Sequence, residues 1–441
     1  MSKPTNKRDS NAQCPALLIS AAASGQGKTT VTAALAWHFR QQGLNVRVFK
    51  TGPDFLDPQI LQAASGNPVY QLDLWMLGET QCRQLLYEAA VNADLILIEG
   101  VMGLYDGEPS SADLARLFNI PVLAVIDASA MAGTFGAIAS GLKNFDTQLN
   151  VAGVLANRTA GEAHAQMLQE SLPENIKWFG ALHHNHQISL PERHLGILLT
   201  DEISDLEEKL NTASTMLENN GLSQPSSSSS VEFRPTPEPE QPGSALKNIR
   251  IGIAHDAAFC FCYQANLDLL EALGAELIFF SPMHDNSLPE IDSLYLPGGY
   301  PELHLESLHN NLSMRTAIKQ HYSQGQPLVA ECGGLLYLMD AIADTQGNCK
   351  QMTGVLSGDA ILQKRLVNLS MQSMELPEGT IRGHSFHHSL INTPLQATLI
   401  TTPNGKYGSA ESVFRDKKLL ASYMHLYMPS NPFATCRLFT P

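Results

Sequence analysis

Short apolar runs alternate with longer mixed segments through most of the chain. Residues 16–20, 46–50, 94–98, 122–127 and 151–157 are rich in Val, Ile, Leu and Ala and read as buried strands. The segments between them read as helices. Strand and helix alternating over the first part of the chain predict a doubly wound parallel sheet, with ligands at the strand C-terminal ends. The pattern then breaks. Residues 202–219 are a charged helical stretch. The Ser-rich run at 224–230 and the Pro-rich run at 235–243 hold too few apolar residues to pack. Alternation resumes with strands at 249–254, 276–280, 293–296 and 327–330, helices at 265–273 and 311–324, and a late strand at 419–424. The pattern divides the chain into a disordered N-terminus (1–14), a first α/β domain (15–222), a linker (223–246) and a second α/β domain (247–441).

Composition agrees with two cores. The 441 residues are 44% hydrophobic and 16% charged, enough for two or three globular domains. No apolar stretch approaches the length of a membrane span, and the polar start from Met1 to Asn11 is not a signal peptide. Seven cysteines at irregular spacing, with no Cys-x-x-Cys pair, indicate a reducing cytoplasm rather than a disulfide framework. A net charge of −15 argues against a general nucleic-acid binder and against docking on an anionic membrane. An anionic ligand would therefore need a local cluster of cations.

The first strand supplies one. It runs into Ser24-Gly25-Gln26-Gly27-Lys28-Thr29-Thr30 and then a helix, which is the phosphate-cradling P-loop in its required context. Lys28 is expected on the terminal phosphates and the Thr29 hydroxyl on Mg²⁺. Ala22 stands where the motif usually has its first glycine. After the second strand, Asp54 and Asp57 lie on a loop bounded by Gly52, Pro53 and Pro58. They can serve Mg²⁺ or a substrate oxygen, or simply cap a turn. Glu99 ends the third strand in a Walker-B-type position, followed by Asp106. Asp127 and Asn157 also fall at strand ends. His183, His184, His186 and His194 lack regular ligand spacing and read as a loop rather than a metal site.

In the second domain, Glu331-Cys332-Gly333-Gly334 joins a buried strand to an apolar helix start. This tight turn can expose a nucleophile beside free backbone N–H groups, and the helix N-terminus should favour thiolate. A buried structural cysteine is the plainer reading. Gly298-Gly299 forms a second strand-end turn and a candidate oxyanion hole. His425, distant in sequence at the end of an apolar strand, is a candidate base. His384, His387 and His388 read as a half-exposed strand.

Taken together, these motifs resemble the cobyrinic acid a,c-diamide synthase family, the glutamine-dependent ligases of corrin biosynthesis. The resemblance runs from Ala16 to Asn431. It rests on the P-loop, on Lys50-Thr51-Gly52-Pro53-Asp54-Phe55-Leu56-Asp57-Pro58, and on Glu99-Gly100-Val101-Met102-Gly103-Leu104-Tyr105-Asp106-Gly107. It rests also on Leu190-Pro191-Glu192-Arg193-His194-Leu195-Gly196, Tyr295 to Glu302, Glu331 to Gly334, and Ser422-Tyr423-Met424-His425. It implies a P-loop domain similar to dethiobiotin synthetase joined to a class I glutamine amidotransferase-like α/β domain. Glutamine would be split at Cys332 with His425 as base and Gly299 and Gly333 as oxyanion hole. ATP would activate a corrin carboxylate for attack by the ammonia released. The resemblance implies metal ligation by Thr29, Asp54 and Glu99, and substrate or phosphoryl handling by Lys50, Asp54, Asp57, Glu99 and Asp106. Mg²⁺ is the implied cofactor, ATP, glutamine and a corrin are the substrates, and a homodimer is a candidate assembly. Ammonia must pass between the two sites without leaking, so the domains are expected to pack together.

Three departures stand out. Gln59, Ile60 and Leu61 follow Asp57-Pro58 where many relatives have a histidine nearby. Cys260 and Cys262 replace frequent aromatics. Tyr427 stands two residues past His425, where class I enzymes usually carry an acid, so no third catalytic residue is assigned. Three other readings share motifs. They are a nickel-sirohydrochlorin a,c-diamide synthase, a cobyric acid synthase, and a partitioning-type ATPase, which would carry a lysine where Ala22 and Ala23 stand.

Overall fold

A computed structural model describes residues 10–188, 205–218, 222, 230–237, 240–405 and 408–441. Two compact units divide the chain, Met1–Glu238 and Pro239–Pro441.

The first unit is built on one sheet. Its strands are β1 (Ala12–Ala21), β2 (Val46–Thr51), β3 (Tyr70–Leu72), β4 (Leu95–Glu99), β5 (Val122–Asp127), β6 (Val151–Thr159), β7 (Trp178–His183) and β8 (Ser230–Phe233). The order across the sheet is β3-β2-β4-β1-β5-β6-β7, all parallel. The chain winds outward from β1 in both directions, so β1 is the switch point, and the crevice beyond its C-terminal end is the natural ligand site. Helices cover both faces. Successive residues of β1 therefore enter different cores, Leu18 on one side and Ile19 on the other, and both are fully buried. That is why the strands read as nearly continuous apolar runs.

Two sequence boundaries differ. β1 starts at Ala12, inside the N-terminal segment read as disordered. β8 lies inside the stretch 223–246 read as linker, and it pairs antiparallel with Ala12–Pro15 of β1. Val231 and Phe233 alternate into the core while Glu232 faces out, a period-two pattern too short to register beside the Ser- and Pro-rich runs. The serines of that run before Ser230, and the 190–196 motif with His194, lie outside the described residues.

The second unit contains a seven-stranded sheet and two four-stranded sheets. Its strands in chain order are β9 (Arg250–Ala254), β10 (Glu276–Phe280), β11 (Ser293–Leu296), β12 (Leu328–Glu331), β13 (Ala341–Ala343), β14 (Cys349–Gln351), β15 (Asp359–Leu362), β16 (Asn368–Leu376), β17 (Gly379–His387), β18 (Ser389–Asn392), β19 (Leu399–Ile400), β20 (Thr402–Pro403), β21 (Ser412–Asp416), β22 (Leu419–Ser422) and β23 (His425–Tyr427). The main sheet runs β10-β9-β11-β12-β22-β21-β19, parallel from β10 to β22. β12 lies between β11 and β22. Ala330 joins the core on one face and Val329 the core on the other. The late strand expected at 419–424 stops at Ser422. The chain then leaves the main sheet and re-enters as β23 beside β17, with His425 opposite His384.

Candidate active sites

In the first unit the P-loop connects β1 to helix α1 (Lys28–Gln41). Gly27 has φ 93° and presses so closely on Asn157 that an added Cβ would meet Asn157 Nδ2 at 2.1 Å. Only glycine satisfies both the conformation and the contact. The loop is held from neighbouring strand ends. Asn157 Nδ2 donates to Gln26 O (2.9 Å), Asp127 N donates to Gln26 Oε1 (2.9 Å), and Arg158 bridges Gly25 O (3.1 Å) and Asp127 Oδ2 (2.7 Å). Ser24 and Gly25 are exposed, and Gln26, Thr29 and Thr30 are half-buried, as a loop open to a ligand requires.

Lys28 is buried, and its ammonium donates to Ala23 O (3.1 Å) and Met102 O (2.6 Å). Below it lies a charged cluster. Lys50 Nζ sits 2.8 Å from Asp57 Oδ2, 2.8 Å from Glu99 Oε1 and 3.8 Å from Asp54 Oδ2. Thr29 Oγ1 donates to the same Glu99 oxygen at 2.7 Å. Burial works against the Lys50 charge, but Glu99, Asp57 and Asp54 outweigh it and hold the ammonium well above its ordinary range. Burial also pushes the Glu99 carboxyl upward, opposed by Lys50 and Thr29. Its second oxygen, Oε2, is buried with no hydrogen-bond partner among the described residues. Thus Thr29, Lys50, Asp54, Asp57 and Glu99, all singled out in the sequence, converge on one point. Asp106 stands apart. It is exposed, and its Oδ2 accepts from Gly103 N at 2.9 Å, so this carboxylate closes its own loop. Asp54 also caps a turn, accepting from Leu56 N at 2.9 Å.

The histidine cluster divides. His183 contacts Glu162 Oε1 (3.0 Å) and Thr159 Oγ1 (2.6 Å), while His184 and His186 face each other edge to face.

In the second unit Cys332 has φ 44° and ψ −105°. A non-glycine residue in this region stores roughly 1–3 kcal/mol and marks a functional turn. The turn is locked at both ends, by Cys332 N donating to Ser422 O (2.8 Å) and Leu336 N to Cys332 O (3.0 Å). Gly333 packs on Gly299, where an added Cβ would meet Gly299 N at 2.9 Å and Pro301 Cδ at 2.9 Å. The two glycines of the expected oxyanion hole are therefore side by side at the elbow. His425 rests on the adjacent Gly298, where a Cβ would meet its Cε1 at 2.2 Å.

The thiol differs from the expectation of a favoured thiolate. Burial pushes the Cys332 thiol upward, the carboxylates of Glu302, Glu411 and Glu331 add to this, and only the Gly333 N–H pulls back. The following helix, Gly333–Leu338, is short and cannot offset that environment. Cys332 Sγ lies 3.9 Å from Phe386 O.

His384 and His387 are buried rather than half-exposed. His384 stacks on His425 with ring centroids 4.9 Å apart and planes 17° apart, and shares a 2.9 Å hydrogen bond with the Tyr263 hydroxyl. His387 pairs with Glu411 at 3.0 Å and stacks on Tyr423 at 3.7 Å. Three acids here were not picked out from sequence. Glu302 has a buried oxygen without a partner, Glu411 pairs His387, and Glu331 lies 4.0 Å from His425 Nδ1. Glu331 was legible in principle, as an acid ending an apolar strand. Tyr427 is buried against Tyr263. Cys260 and Cys262 are half-buried rather than buried, and the Cys262 thiol lies 3.9 Å from the Tyr295 hydroxyl.

Comparison with known proteins fits this geometry. Residues 17–197 match the CobQ/CobB/MinD/ParA nucleotide binding domain, and residues 250–433 match the CobB/CobQ-like glutamine amidotransferase domain. The chain is 56% identical to the hydrogenobyrinate a,c-diamide synthase of Stutzerimonas stutzeri (strain A1501), across 97% of this chain and 99% of that one. It belongs to the hydrogenobyrinate/cobyrinate a,c-diamide synthase family. Within that family, the hydrogenobyrinate a,c-diamide synthase of Pseudomonas aeruginosa is 54% identical over 98% of each chain. The cobyrinate a,c-diamide synthase of Herminiimonas arsenicoxydans is 45% identical over 100% of this chain and 99% of its own. The chain is thus an amidoligase that couples a nucleotide-binding unit to a glutamine amidotransferase unit. Among the described residues, no helix is long and apolar enough to cross a membrane.

Proposed function

We propose that this protein uses ATP and glutamine to amidate the a- and c-carboxylates of hydrogenobyrinate or its cobalt-bearing counterpart, cobyrinate. The observation that carries the reading is one chain holding both a P-loop with its converging acids and a strained cysteine elbow beside two glycine N–H groups. The names of the relatives at 56% and 54% identity favour the metal-free corrin.

In the second unit, Cys332 Sγ attacks the side-chain amide carbon of glutamine while its proton passes to His425. The N–H groups of Gly299 and Gly333 face the oxyanion. His425 returns the proton to the departing ammonia, and water then hydrolyses the thioester to glutamate. In the first unit the P-loop N–H groups and Lys28 hold the ATP phosphates. Lys28 exchanges its bonds to Ala23 O and Met102 O for phosphate oxygens. A corrin carboxylate attacks the γ-phosphorus, ADP leaves, and ammonia displaces phosphate from the resulting acyl phosphate. The donor set fits a hard cation. Thr29 offers a hydroxyl, Asp54 a carboxylate, and Glu99 an oxygen with no hydrogen-bond partner among the described residues. Mg²⁺ held there would supply positive charge against the phosphate oxygens.

Cys332→Ser tests the division of labour. Glutamine-dependent amidation should vanish while amidation with ammonium salts persists; equal loss of both activities would overturn the reading. Assaying hydrogenobyrinate and cobyrinate side by side identifies the acceptor.

A further inference from the structure

Class I glutamine amidotransferases usually place an acid two residues beyond the histidine, and here that position is Tyr427. Another acid lies close to this histidine. Along β12, alternate residues face opposite sides of the sheet. Cys332 therefore turns toward one core, while Glu331 follows Val329 toward the other. There its Oε2 lies 4.0 Å from Nδ1 of His425, and both side chains are buried. The separation is too long for a hydrogen bond and short enough to become one through a small ring or carboxylate rotation.

We propose that Glu331 is the positioning acid of the glutaminase site, holding Nδ1–H of His425 so that the other ring nitrogen can take the Cys332 proton. The inference rests on Cys332 and His425 being nucleophile and base. An acid in this place fixes the productive tautomer and offsets the charge of the imidazolium that forms. Burial pushes the Glu331 carboxyl well above its ordinary range, and the Tyr295 hydroxyl and the Leu426 N–H, which face it, oppose that rise. His384 stacks on the face of the His425 ring and sets its plane, while Phe261 lies tilted against it. The titratable groups around the pair are His384 and His387 from β17, Tyr295 from β11, Cys262 and Cys332. None of these is a carboxylic acid, and Glu331 is the carboxyl that approaches Nδ1 among the described contacts.

The test measures glutamine hydrolysis and ammonia-dependent amidation by the full-length protein with ATP, Mg²⁺ and corrin present. Glu331→Gln should lower kcat for glutamine hydrolysis by ~10²-fold or more, with KM within about threefold. Ammonia-dependent amidation should be unchanged. Removing the carboxyl should also move the acid limb of kcat/KM to lower pH, because a proton gained by His425 then has no carboxyl at Nδ1 to ionise against it. Glu331→Asp, which keeps the carboxyl, should recover part of the rate. An unchanged kcat in Glu331→Gln overturns the proposal. A reduced kcat with an unmoved acid limb also overturns it, since that is the signature of structural damage alone. His425→Ala run in parallel separates the two levels. If it leaves glutamine hydrolysis intact, the assignment of the base fails rather than the role of Glu331.

Discussion

Lys28 illustrates how much a single side chain can announce. Its proposed role was legible because a lysine between Gly27 and Thr29, with a strand before and a helix after, has few other uses. The structure adds that its ammonium rests on two carbonyls, Ala23 O and Met102 O, which are partners that phosphate can replace. Lys28→Ala should therefore reduce ATP turnover at least ~10²-fold with either nitrogen donor. ATPase assays with glutamine and with ammonia check this, and retained turnover would remove Lys28 from the site. Glu331 and Glu302 were harder to read. Their importance depends on burial and on the direction of the side chain, and neither follows from a motif. The same limit applied to the Cys332 thiol. The elbow was visible in sequence, but the acids Glu302, Glu411 and Glu331 around it were not.

At the scale of elements, the parallel sheet was legible because strands buried on both faces give uninterrupted apolar runs. β8 escaped for the opposite reason. It has four residues, follows a serine run, and shows its pattern only through Val231 and Phe233. Phe233 is 4% exposed and packs in the same core as Leu18 and Ile98. Phe233→Ala should cost about 3–5 kcal/mol. That would appear as a lowered melting temperature, read by calorimetry or circular dichroism. A linker residue would show no change. The interruption between β22 and β23 was also illegible, because residues 419–424 are mostly apolar and Ser422 alone does not mark a change of sheet. It moves His425 out of the main sheet and sets it against His384.

For the molecule as a whole, buried titratable groups shape how stability responds to pH. Burial lowers the His384 pKa to about 3, against about 6.5 in an unfolded chain. Between those values the unfolded chain binds a proton that the folded one refuses. Its contribution is therefore intact above about pH 6.5 and is lost as the solution becomes more acidic. Glu302 works in the opposite sense. Burial raises its pKa to about 7, so the folded form takes up a proton first and gains from acidification over part of the same range. The two effects partly cancel, so the difference between variants is more informative than the wild-type curve. His384→Phe should flatten the acid-side decline by up to ~1.4 kcal/mol per pH unit. Denaturant unfolding at several pH values between 5 and 7.5 measures the slope, and parallel curves for variant and wild type would rule out a neutral buried His384.

The cluster around Lys50 has a consequence for how the protein is made. Three acids meet beneath the P-loop, and carboxylates gathered so closely in a buried place would repel one another as the chain closed. Lys50 is an internal counter-ion, synthesised with the chain and present before any ligand arrives. The nucleotide-binding unit is therefore expected to fold before magnesium or ATP binds, and a cooperative melting transition retained in EDTA without nucleotide checks this. This differs from small metalloproteins, whose apo forms do not fold.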